Sequence, residues 1–117
     1  MQFLIIINSD EKAETKATVE QQKEVYEAYM KYTADLKTAG VLLGGEALEP
    51  SAKGARVGWK DGRQVVVDGP FTEAKEVVGG YYLIDVKSRE EAIEWAAKCP
   101  GSRFSPVEVR SVMIFNK

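Results

Sequence analysis

Histidine is absent from all 117 residues. That removes the commonest general base near neutral pH and the commonest metal ligand. Serine-hydrolase triads, Cys-His dyads and histidine-built metal sites are therefore excluded within one chain. Cysteine occurs once, at Cys99, so no intrachain disulfide can form and a reducing cytoplasm suits the chain. Charge of one sign is also lacking. Sixteen Lys and Arg against eighteen Asp and Glu leave a net charge of −2, and no basic surface that would track phosphates is evident. Nucleic-acid binding is not expected.

Long hydrophobic runs are missing too. The longest N-terminal one, Phe3 to Ile7, is five residues and is followed at once by Asn8-Ser9-Asp10-Glu11. With no basic stretch before it, it reads as a first β-strand and not as a secretion signal. Nothing approaches the ~18 apolar residues of a membrane span, so no membrane association is expected. What remains, 44% hydrophobic and 29% charged, describes one soluble globular domain over residues 1–117.

The residues present give a clear order of elements. Thr18 to Gln21 has the form of a capping box, and Tyr26, Tyr29, Met30, Thr33 and Leu36 follow at helical spacing. Gly40 sits where a helix would end. Val41 to Leu43 starts an extended segment expected to stop at Gly44-Gly45, and 46–54 reads as loop. Asp61-Gly62 between Arg56–Lys60 and Arg63–Val67 calls for a type I′ hairpin. A strand is predicted from Tyr81 to Val86. Ser88 to Glu91 forms a second capping box, opening a helix with Ala92, Ile93, Trp95, Ala96 and Cys99 that Pro100 stops. Val107 to Phe115 closes the chain as a strand, with Val107, Val109 and Met113 on one face. Strand-helix-strand, hairpin, strand-helix-strand is an α+β, ferredoxin-like plan with an inserted hairpin. Several strands are apolar on both sides, so the face without helices needs cover. A second copy is the simplest cover, and a homodimer is expected.

The most informative stretch is Val67-Asp68-Gly69-Pro70-Phe71-Thr72-Glu73-Ala74-Lys75-Glu76, a charged connection between two apolar strands. Rigid scaffolds commonly display their chemistry on such connections. With Gly79-Gly80-Tyr81-Tyr82-Leu83, Glu91 to Ala97 before Pro100, and Val107 to Arg110, it resembles the DGPF-motif group of the YciI-related (YCII) family over nearly the whole chain. The resemblance implies a dimeric α+β barrel, related in fold to muconolactone isomerases and to a chlorolactone dehalogenase. It also implies a gene neighbourhood shared with extracytoplasmic-function sigma factors in bacteria. In the YciI branch a His on the first helix and an Asp before the Pro of the second form an active pair. By matching from the helix ends, those positions fall near Tyr29 and on Cys99, so that chemistry does not carry over.

Each candidate residue has two readings. Asp68 is either a turn or cap residue accepting backbone N–H groups or a general base in a pocket at the sheet end. Glu73, Lys75 and Glu76 form either a solvated loop or a charged pocket wall, with Lys75 holding an anion and a carboxylate moving a proton. Arg110 either pairs with Glu108 or offers a fork to a carboxylate substrate. Tyr29 and Cys99 are core residues unless they line the pocket of the relative's pair. Gly79-Gly80 allows positive φ or close backbone approach and, with no Lys-Ser/Thr after it, is no phosphate cradle. No metal and no cofactor are implied. The sequence thus expects a cytoplasmic homodimer binding a small, anionic organic molecule, with cofactor-free lyase or isomerase chemistry from Asp68, Glu73 or Glu76. The alternatives are a regulatory partner of a sigma factor and a degenerate enzyme scaffold.

Overall fold

The computed structural model describes residues 1–115. The chain runs β1 (Gln2–Ser9), a short α1 (Glu11–Glu14), α2 (Val19–Thr38), β2 (Leu42–Ala47), a 3-10 turn (Ser51–Lys53), β3 (Ala55–Lys60), β4 (Arg63–Asp68), β5 (Val77–Asp85), α3 (Arg89–Lys98), a second 3-10 turn (Pro100–Arg103) and β6 (Glu108–Ser111). Four strands form one sheet in the order β2-β5-β1-β6, with β3 and β4 making a separate two-stranded ribbon. All pairings in the four-stranded sheet are antiparallel. β5 therefore lies between β1 and β2, the split β-α-β arrangement compatible with a ferredoxin-like fold.

Local chemistry sets the element ends. Thr18 Oγ1 accepts from Gln21 N–H at 3.1 Å while the Gln21 side chain accepts from Thr18 N–H at 2.9 Å, a complete capping box. Gly40, at φ +73°, follows the C-cap residue Ala39, where an L side chain would be strained. Asp61 and Gly62 take φ of 51° and 75°, the two positive values a type I′ turn needs. The second capping box is only half made. Ser88 Oγ caps Glu91 N–H, but the Glu91 carboxylate reaches back to Lys87 N–H instead of Ser88.

Phe3, Ile5, Tyr32, Leu36, Ile84, Val86, Ala92, Ala96 and Cys99 form the buried core between the helices and one sheet face. Tyr32 carries its hydroxyl into that core and donates it to Trp95 O at 2.7 Å. Its ring meets Tyr82 edge-on with centroids 5.3 Å apart. Three expectations are corrected. The buried line of α2 runs through Tyr29, Tyr32 and Leu36, whereas Tyr26 (65% exposed) and Met30 (56%) face outward. The extended segments pass through both glycine pairs, since β2 continues to Ala47 and β5 begins at Val77. The last strand ends at Ser111, and Met113 to Phe115 lie outside it. β1 is buried on one face only. Phe3 and Ile5 are sealed while Leu4 and Ile6 on the other side are partly exposed.

Candidate functional site

The segment after β4 is held by three neighbours. Asp10 N-caps α1 by accepting Ala13 N–H at 3.1 Å, which turns the chain after β1 and points Glu11 at the 3-10 turn. The Glu11 carboxylate accepts Ser51 N–H at 2.7 Å and the Ser51 hydroxyl. Those two donors, the hydroxyl first, hold its carboxyl below the ordinary glutamate range. Ser51 Oγ in turn accepts Phe71 N–H at 3.4 Å. Gly69 donates its N–H to Gly54 O at 2.9 Å. A Cβ at Gly69 would stand 1.8 Å from Ser51 O, so only glycine lets the two backbones approach. Downstream, the Arg56 guanidinium lies 3.9 Å over the Phe71 ring and bonds Glu73 at 2.6 Å. Glu73's own backbone N–H, and then Arg56, hold that carboxyl below its usual range.

Between α1 and residues 70–77 this framing leaves a cleft of about 170 Å³. Its apolar wall is Phe71, Ala74 and Val77, and its polar wall includes Ser9 and Thr72. A wider, more open depression of about 530 Å³ adjoins it and shares Lys12 and Lys75, with Lys16 added. The electrostatics of these walls are asymmetric. Asp10 is engaged by Ala13, Glu11 by Ser51 and Glu73 by Arg56. Among the described residues, no carboxylate comes within 4.0 Å of the Lys12, Lys16 or Lys75 ammonium. Lys12 and Lys75 thus line both hollows, and Lys16 the wider one, with no carboxylate in ion-pair range among the described residues.

The sequence profile of the YCII-related domain matches residues 1–116. The chain belongs to the YCII-related family. An uncharacterised protein of Rhizobium meliloti (strain 1021) is similar to it, 30% identical over 96 residues that span 82% of this chain and 77% of that protein. No helix among the described residues is long and apolar enough to cross a membrane. No group of three or more Cys, Asp or Glu among them could hold a metal ion.

In this YCII-related chain the sequence-nominated residues do not converge on one point. Lys75 lines both clefts and Glu73 the wider one. Asp68 ends β4 opposite Ala55 and lines neither. Its carboxylate accepts no hydrogen bond among the described residues, so the expectation of a side-chain cap is corrected: Gly69 and the Ser51 turn shape the bend. Glu76 accepts the Ser105 hydroxyl and also lies outside both clefts. Arg110 bonds Glu108 at 3.0 Å on the sheet face away from the helices, the ion pair that their spacing on one face allows. Tyr29 and Cys99 do meet, the thiol donating to Tyr29 Oη at 3.9 Å. Burial pushes both groups up from their ordinary values, keeping both protonated near neutrality. A Cβ on Gly101 would lie 2.5 Å from Tyr29 Oη, so the glycine makes room for the phenol.

Lys12, Lys16, Ser9 and Thr72 escaped the sequence reading. Asp10 as a helix cap, with Lys12 and Lys16 four apart behind it, was the available signal. Nothing in the linear order, however, places α1 against residues 70–77.

Proposed function

We propose that this YCII-related protein is a homodimer that binds a small organic anion in the cleft between α1 and the segment 69–77. The observation that carries this reading is the set of three lysines, Lys12 and Lys75 at both adjoining hollows and Lys16 at the wider one, with no carboxylate within 4.0 Å among the described residues. The apolar wall gives the body of a molecule a hydrocarbon surface, and the hydroxyls give its polar end partners. The reading is one of binding. Glu73 is the nominated acid that lines the wall; its own backbone N–H and then Arg56 keep it ionised, and Arg56 holds it engaged. Lyase or isomerase proton transfer would require that pair to open. A reducing cytoplasm suits the single buried thiol of Cys99.

Dimerisation is supported by the uncovered sheet face. Leu4, Ile6, Tyr81 and Leu83 line up there by register. The Cα radius of gyration is 16.3 Å, against about 13 Å for a compact domain of this length. The principal extents, 48 × 47 × 18 Å, describe a slab with one helical face and one bare face. Native mass spectrometry of gently purified protein tests both halves. Twice the 13.0 kDa chain mass with a small extra mass per subunit is the expected result. A bare 13.0 kDa species would refute the dimer, and a dimer that stays bare when small organic anions are added would refute the binding site.

A further inference from the structure

Size and charge narrow the ligand class, on the premise that the small-anion reading holds. The narrow cleft offers about 170 Å³, the liquid volume of about six waters. This narrow part admits a compact body. One side of it is hydrocarbon, from Phe71, Ala74 and Val77, while Lys12 and Lys75 stand at the same cleft. Glu11 and Glu73, whose carboxyls are held below their ordinary range, stay ionised in the surrounding walls. They offset the lysines and disfavour a second negative charge on the ligand. Backbone phosphate cradles are built from helix N-termini or nests of N–H groups. Here α1 has only four residues, and its Ala13 N–H is taken by the Asp10 carboxylate. We infer that the site takes a small monocarboxylate with a compact hydrocarbon body. The body packs on Phe71, Ala74 and Val77, and the carboxylate lies between the Lys12 and Lys75 ammonium groups.

Titrating the ¹⁵N-labelled protein with benzoate, benzamide and inorganic phosphate tests the class. Benzoate should shift the amides of Lys12, Thr72, Ala74, Lys75 and Val77 in a saturable way, with benzamide and phosphate binding more weakly. Lys12→Gln and Lys75→Gln should each weaken benzoate about two- to five-fold, the range of an exposed ion pair. Lys37→Gln, at the far end of α2, should leave it unchanged. Ala74→Leu, which fills the hydrocarbon wall, should abolish benzoate binding. A preserved amide spectrum away from the cleft shows that each variant is folded. Phosphate binding as tightly as benzoate at these amides would overturn the monocarboxylate while leaving the small-anion reading intact. Benzamide matching benzoate would remove the role of the lysines. Shifts from none of the three would sink both the class and the reading beneath it.

Discussion

Glu11 shows how a residue that carries no chemistry can still decide where a site stands. Its carboxylate ties α1 to the Ser51 turn, and the turn's hydroxyl accepts Phe71 N–H. A carboxyl with a folded pKa below its ordinary 4.5 contributes stability that is present above that value and lost as pH falls through the folded one. Melting temperature against pH should therefore drop on acidification below about 4.5 in the native protein. The drop should be shallower in Glu11→Gln, and identical acid limbs would show that the contact does not matter. Gly69 gives a sharper test. Gly69→Ala drives a methyl into Ser51 O and should cost about 1–3 kcal/mol in chemical denaturation. Gly58→Ala, in strand backbone with nothing within 4 Å, should be neutral or stabilise by up to about 1 kcal/mol. Asp68→Ala should stay within about 0.5 kcal/mol, since its carboxylate holds nothing. The legibility of single residues follows the same division. Gly79 and Gly80 were readable as points of close approach, and Ser9 Oγ and Glu46 O do lie 2.0 and 2.9 Å from where their Cβ atoms would be. Lys12 was not readable, because its meaning comes from a neighbour some sixty residues away.

At the scale of elements, the readable features were those whose signal is local. The Asp61-Gly62 hairpin and the Thr18 cap need only a few adjacent residues, and both formed as expected. Thr18→Ala should lower stability by about 1 kcal/mol, a fall of about 4 °C in melting temperature for a domain of this size. An unchanged melting curve would mean that packing of Tyr32 and Leu36 alone holds α2. Which helix face is buried was harder to see. Tyr26 and Met30 share the helical spacing of true core residues, but they lie off the line of Tyr29, Tyr32 and Leu36 that meets the core. Tyr32 was overlooked because a buried hydroxyl needs a partner, and that partner is Trp95 O on α3. The glycine pairs misled for a related reason. Neither Gly44-Gly45 nor Gly79-Gly80 has positive φ, so these glycines continue strands instead of breaking them.

For the whole molecule, the strand-helix pattern was enough to give the sheet and its one-sided helical cover. It was also enough to pose the problem of the bare face, because Leu4, Ile6, Tyr81 and Leu83 alternate with core residues along their strands. Burying such a row stabilises by roughly 25 cal/mol per Å² of apolar surface removed from water, a gain a lone slab forgoes on that side. The hairpin adds to the deficit. Every residue of β3 and β4 is exposed, Trp59 to 75%, and beyond the contacts of Arg56 with Phe71 and Glu73 the ribbon has little cover. A second copy laid on the bare face would cover the first row and bring partner surface near the ribbon. Sedimentation equilibrium at micromolar concentration should then give twice the 13.0 kDa chain mass. Leu83→Lys, which places a charge in the middle of the face without touching the helical core, should shift the equilibrium to monomer while circular dichroism still reports the fold. If Leu83→Lys sediments as the native dimer, the subunits meet elsewhere, and the exposed ribbon becomes the surface to mutate next.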